Sequence, residues 1–186
     1  MAARRYGVRL MSTWNRVVLC GALAAGLAMA AAPAAAFPAR VAAPKGSCKL
    51  ITVRETGGIL ETRAGAGKQK TRKAGGQTND QCVWAAKKKG TGGVKGQPLQ
   101  LELVVESGTG LVDDYNAAKA ADPAESDAVP GLGDDAFIKD LKLHVLVGPR
   151  VVSVALHNYR YPEPFTEQQI QLKEADAARI ALGRLK

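Results

Sequence analysis

The stretch LKLHVLVGPRVVSVALH, residues 141–157, decides the fold. Leu141, Leu143, Val145 and Val147 recur at every second position, the period of a strand with one buried face. Gly148-Pro149-Arg150 interrupts the run with turn residues, and Val151–Leu156 resumes it. Two apolar runs around so short a break predict an antiparallel hairpin. Its register is the open point. Pairing Val147 directly with Val151 would place Ser153 on the leucine face. A shift of one residue, or a bulge, aligns Val152, Val154 and Leu156 with that face instead. The shifted register buries the larger side chains and is the one expected.

Working upstream, Leu99–Glu106 repeats the pattern, with Leu99, Leu101, Leu103 and Val105 on one face. Gln81–Ala86 reads as a further strand, on which Cys82 and Trp84 share a face, so the indole is expected to cover the cysteine. Ala136–Ile138 reads as a short strand after the glycine turn Val129–Asp135. Arg63–Asp80 reads as a loop from its glycine and lysine content, and Lys87–Pro98 as a turn. Thr52 and Glu55 form a capping box that opens a short helix, which Gly57-Gly58 weakens. Leu111–Ala121 reads as a helix with Asp113 and Asp114 in its first turn, where the helix dipole favours acids. Thr166 and Gln169 open the longest helix, Thr166–Leu185, with Ile170, Ala177, Ala178, Ala181 and Leu185 along one stripe. The expected class is α+β: an antiparallel sheet of four or five strands, with the long C-terminal helix and shorter helices packed on one face.

The other end of the chain carries an address. Arg4, Arg5, Arg9 and Arg16 precede an apolar alanine-rich run, Val17–Ala32, and Ala34-Ala35-Ala36 ends it before Phe37. That is the layout of a cleaved signal peptide, whether translation starts at Met1 or at Met11. The lone Arg4-Arg5 pair lacks the rest of a twin-arginine signal. A lipid anchor on Cys20 is disfavoured, because Leu19 stands where lipoprotein processing needs a small residue. The expected organisation is a signal peptide over 1–36, a linker over 37–47, and one disulfide-stapled α+β domain over 48–186, in the periplasm or outside the cell. After cleavage no remaining run is apolar enough to span a membrane.

Cleavage removes Cys20 and leaves Cys48 and Cys82. In an oxidising compartment such a pair forms a disulfide. Zinc held by these cysteines with His144 and His157 is disfavoured, since neither pair has the short spacing of structural sites. Cleavage also removes four arginines, so the formal charge falls from +9 for the whole chain to 22 basic against 17 acidic residues, or +5. What remains is segregated. Lys68, Lys70, Arg72 and Lys73, then Lys87, Lys88 and Lys89, form basic stretches, while Glu102–Asp140 is acidic. The basic residues are candidates for an anionic partner, with mutually neutralising solvated loops as the plain alternative. Nucleic acid is disfavoured, because no stacking aromatic interleaves with the basic stretch before Trp84.

Catalytic motifs are missing. Gly67-Lys68 lacks the other residues of a phosphate loop, and Gly131-Leu132-Gly133 lacks the third glycine and following helix of a dinucleotide fingerprint. Ser153 and His157 are about 13 Å apart along one strand, too far for a nucleophile–base pair. His144, Lys142, Ser153 and His157 share a sheet face that reads as solvated. Asp134, Asp135 and Asp140 lack the ligand spacing of a calcium loop. Neither a metal nor a cofactor is expected. Tyr159, Tyr161 and Phe165 cluster around two prolines, and either line a partner contact or pack the entry to the last helix.

Cys48-Lys49-Leu50-Ile51-Thr52 leading to Glu55, the Cys82-Val83-Trp84 step, Val129–Phe137 with its glycine–aspartate turn, and the alanine-rich helix Ala175–Leu185 together have a counterpart. They resemble a family of small exported actinobacterial proteins and lipoproteins that carry the domain of unknown function numbered three-five-five-eight. The resemblance implies an envelope location and supports the disulfide; it implies no activity. The failed lipobox at Leu19 and the unusually basic segment before Cys82 depart from it. The functional expectation is an exported, non-enzymatic protein that binds an envelope protein, a small ligand or a polyanion. The alternatives are an envelope hydrolase with a site around His144 and His157, or a regulatory or inhibitor protein using Tyr159–Phe165.

Overall fold

A computed structural model describes residues 46–87, 97–121, 127–157 and 165–185. The strands are β1 (Lys68–Ala74), β2 (Gln77–Ala85), β3 (Gln100–Gly108), β4 (Asp127–Ala128), β5 (Asp135–Lys139), β6 (Lys142–Val147) and β7 (Arg150–His157). They form one sheet in the order β1-β2-β3-β7-β6-β5-β4, antiparallel at every pairing. The helices are α1 (Val53–Ile59), α2 (Leu111–Ala121) and α3 (Glu167–Arg184), and a single 3-10 turn occupies Ser47–Lys49. Two meanders, β1–β3 and β4–β7, therefore meet where β3 pairs with β7.

The hairpin that anchors the sequence reading has the shifted register. Val147 pairs with Arg150, Val145 with Val152 and Leu143 with Val154. Its two-residue loop puts Gly148 at φ +53°, as a primed hairpin turn needs at its first central position. Pro149, fixed near φ −65°, selects type II′ over type I′, which needs a positive φ at both.

The sheet has seven strands among the described residues, not four or five. The largest difference lies in 63–80, read above as a loop. Lys68–Ala74 is a strand with all seven residues exposed. It carries no buried side chain, so the alternation that reveals other strands is missing. Its turn was nonetheless written in the sequence. Gly75 and Gly76 have φ of +57° and +79°, both positive as a type I′ hairpin demands.

The helices also lie on both faces rather than one. Leu101, Leu103, Leu143, Val145, Val152, Val154 and Leu156 form one buried face with Cys82 and Trp84, and α1 and α3 close it. The α3 stripe is Ile170, Ala177, Ala178, Ala181 and Leu185, all buried, and its small alanines let the helix lie close to the strands. On the opposite face α2 buries Tyr115 against Phe137 and Val151. Both expected capping boxes are present, at Thr52 with Glu55 and at Thr166 with Gln169. Arg184 near the end of α3 donates to both carboxylate oxygens of Glu55 at 2.7 Å and to the Leu50 carbonyl at 2.8 Å. That contact, with the Thr52 cap, pulls the Glu55 carboxyl down to about 2.

Cys48 in the 3-10 turn is bonded to Cys82 on β2, with Cα atoms 5.1 Å apart. Gly67 lies directly against the bond. A Cβ there would sit 2.6 Å from Cys82 Sγ and from Trp84 Nε1, so only glycine lets the backbone pass between disulfide and indole. The linker expected over 37–47 gives way to ordered chain before Cys48: Ser47 is fully buried, and its N–H donates to Asp80 at 2.5 Å. The bridge spans 34 positions and should stabilise the fold by about 3–4 kcal/mol through the unfolded state. Thermal unfolding of the Cys48→Ser/Cys82→Ser protein, compared with the oxidised parent, should show a midpoint lower by roughly 6–16 °C. Equal midpoints would show that the bond adds nothing.

Candidate functional site

Among the basic residues singled out above, the sheet gathers one group and separates the rest. Lys68, Lys70 and Arg72 alternate along β1, so their side chains leave one face in a column spaced about 7 Å. Lys73 projects from the other face with Gln69 and Thr71. Lys87 follows β2, four residues beyond the partner of Lys68, about 13 Å further along the strand direction. Lys88 and Lys89 lie outside the described residues, as do Tyr159 and Tyr161.

Something must hold β1 in place, because it buries nothing. Asp80 on β2 does so from the second face. Its carboxylate accepts from Thr71 Oγ1 at 2.7 Å, from Gln69 Nε2 at 3.0 Å and from the Ser47 N–H. The acid is thereby engaged by neutral donors, and the four β1 cations stay without a carboxylate partner among the described residues. Between α1 and α3, by contrast, charge is matched. The groove between α1 and α3, about 420 Å³, is lined by Glu55, Lys173, Asp176 and Arg179. Glu55 pairs with Arg184, Lys173 with Glu61, and Asp176 with Arg179. That groove has little uncompensated charge to offer a ligand.

Phe165 belongs to the core rather than to a partner contact. It is 3 % exposed and lies 4.4 Å beneath the Lys173 ammonium. With Thr166 as N-cap, Phe165 and Ile170 occupy the two positions of a hydrophobic staple, and both are buried in the same cluster.

The polar face read as solvated is partly roofed by α2. His144 stacks on Phe137 with ring centres 5.0 Å apart, and Tyr115 meets Phe137 edge-on at the same distance. Ser153 Oγ is 3.0 Å from His144 Nδ1. This has the spacing of a nucleophile–base pair, but Ser153 is 2 % exposed, which leaves a substrate no approach. Burial, aided by Lys142, pushes His144 down to about 4, so it is neutral near pH 7 and a weak base. His157 is four residues further along β7, about 13 Å from Ser153, and is bonded to Glu102 at 2.7 Å. The two histidines do not converge. Among the described residues no cluster of His, Cys, Asp or Glu could hold a metal ion.

One functional group escaped the sequence reading. Glu174 stands in the apolar stripe of α3, four residues after Ile170 and three before Ala177, and is completely buried. The β6–β7 pairing ends at Lys142 opposite Ala155. Leu156 lies one residue beyond, and its N–H donates to Glu174 Oε1 at 3.0 Å. Oε2 has no hydrogen-bond partner. Burial pushes this carboxyl up to about 8 against the smaller pull of the Leu156 N–H and of Lys142. A charged residue at the i+4 position of an otherwise apolar stripe was the available signal.

No protein-family model matches the chain, and neither a curated protein nor a solved structure matches it.

The Glu174 geometry fixes a pH dependence. The folded carboxyl holds its proton up to about pH 8, whereas the unfolded one releases it near 4.3. Between those values the folded state binds more protons, so stability falls as pH rises, by at most about 1.4 kcal/mol per unit. His144 acts in the lower part of the window: its depressed pKa costs stability as pH drops from about 6.5 toward 4. Denaturant unfolding between about pH 6.5 and 8 therefore isolates Glu174. The parent should lose stability across that range and Glu174→Gln should flatten the loss; parallel curves would refute the assignment.

Proposed function

We propose that this chain is an exported, non-enzymatic binding protein of the cell envelope or secreted space, and that it holds an anionic partner along the β1 edge. The observation that carries this reading is the Lys68–Lys70–Arg72 column, with Lys73 behind it, on a fully exposed strand with no carboxylate partner among the described residues. Cations at fixed spacing on a rigid sheet attract an anionic surface or chain without any loss of side-chain burial.

Export is supported by the basic, alanine-rich opening of the sequence and by its resemblance to small exported actinobacterial proteins with the domain of unknown function three-five-five-eight. The Cys48–Cys82 disulfide is compatible with it, and no helix of the described residues is long and apolar enough to cross a membrane. The hydrolase alternative is weakened, because Ser153 beside His144 is buried and His157 stands apart.

Retention of the oxidised protein on immobilised polyglutamate and on vesicles containing anionic lipid tests the binding site. The parent should be retained at low salt and released as the Debye length shrinks below about 5 Å. Lys68→Glu/Lys70→Glu/Arg72→Glu should pass both matrices at least about tenfold earlier in affinity, which is about 1.4 kcal/mol. These side chains are exposed, so thermal stability should change little. Retention unaffected by salt and by charge reversal would overturn the site.

A further inference from the structure

We propose that the partner held at this edge is an extended acidic polypeptide that joins the sheet as an eighth strand beside β1. The inference rests on the anionic-partner reading above and names the class of partner.

The sheet has two edges. β4 is two residues long, too short to template anything. β1 runs for seven residues in unbroken register with β2, from Lys68 opposite Val83 to Ala74 opposite Gln77. It has neither a proline nor a bulge, and no described residue pairs with its outer side. Along that side the strand offers alternate N–H and C=O groups over about 23 Å, which is the template that strand addition uses.

Charge decides what can pair there. A second copy of β1, added antiparallel with matching faces around Thr71, would set Lys70 against Arg72 and Arg72 against Lys70. Like charges directly opposite are destabilising, so the edge rejects itself. A strand with Asp or Glu at alternate positions meets Lys68, Lys70 and Arg72 on one face, with side chains about 5 Å away across the pair. Its intervening polar residues meet Gln69, Thr71 and Lys73. The hydrogen-bonding edge and the cation column thus select the same ligand. The Asp80 clamp on Thr71 and Gln69 ties the centre of β1 to β2 before anything binds.

The test uses the oxidised chain and four peptides of equal length and charge: one alternating Glu and Thr, one with its glutamates clustered at one end, and two alternating peptides with N-methyl groups on alternate residues, one in each phase. Binding is read by titration calorimetry or fluorescence anisotropy. The alternating peptide should bind best. N-methylation in one phase should weaken it by on the order of a hundredfold, since it removes several backbone hydrogen bonds at the shared edge, while the other phase binds nearly as the parent peptide does. Amide exchange protection should appear in β1 on binding. If both methylated phases and the clustered peptide bind as well as the alternating one, strand addition is wrong, although salt-sensitive retention would keep the anionic-partner reading. If no anionic probe binds, both fall.

Discussion

The pairing of β3 with β7 joins two meanders that would each be a small, half-exposed sheet, and it works in a single register. Val152, Val154 and Leu156 face α3, while Val151, Ser153 and Ala155 face the side that α2 partly covers. A slip of one residue would exchange the two sets and put a serine and an alanine where the alanine stripe of α3 needs bulk. The tight loop at Gly148-Pro149 fixes the matching β6–β7 register at one end of β7. At the other end β6 begins only at Lys142, and Glu174 receives the Leu156 N–H that no β6 residue meets. A buried carboxyl with one oxygen unpartnered is a costly way to finish a strand. It is tolerated because a neutral acid carries a smaller desolvation cost than a carboxylate, which is why its proton stays on to about pH 8.

What the sequence made legible follows where side chains are buried on one face. β3, β6 and β7 are readable because Leu101, Leu103, Leu143, Val145, Val152 and Val154 sit at period two. α1 and α3 are readable from their capping boxes. β1 was not, because a strand whose residues are all exposed has no alternation to read; only the Gly75-Gly76 pair betrayed it. α2 carries a weak apolar signal, chiefly Leu111 and Tyr115, so its choice of face could not be inferred from its own residues. The polar look of Ser153 and His144 then suggested open solvent. In the fold Ser153 Oγ bonds His144 Nδ1 and the ring stacks on Phe137, so the buried hydroxyl has its partner inside the protein.

The candidate site was half legible. Lys68, Lys70, Arg72 and Lys73 were visible as a basic cluster, but three of them share a face only because the segment is a strand. The same chain read as a loop gives four cations in no fixed arrangement. Phe165 settles a choice the sequence left open: an aromatic following two prolines suits either a partner contact or a helix entry, and its burial at the start of α3 makes it a staple against the core.

An exposed edge strand must be kept from pairing with its own kind, and lysine is the usual means. That requirement alone would explain charge on β1, but it does not explain two further features. The outer edge has neither a proline nor a bulge, either of which blocks pairing with any strand, not only with a copy. And Asp80, opposite Thr71, lies on the face away from the column and is engaged there by Thr71, Gln69 and the Ser47 N–H, so it ties β1 to β2 without pairing with Lys68, Lys70 or Arg72. Against the helices cations do find carboxylates, as Arg184 with Glu55 and Lys119 with Asp135 demonstrate. An ordered row of cations along an exposed edge in unbroken register disfavours pairing with a copy of itself and leaves the backbone groups that the proposed acidic strand would use.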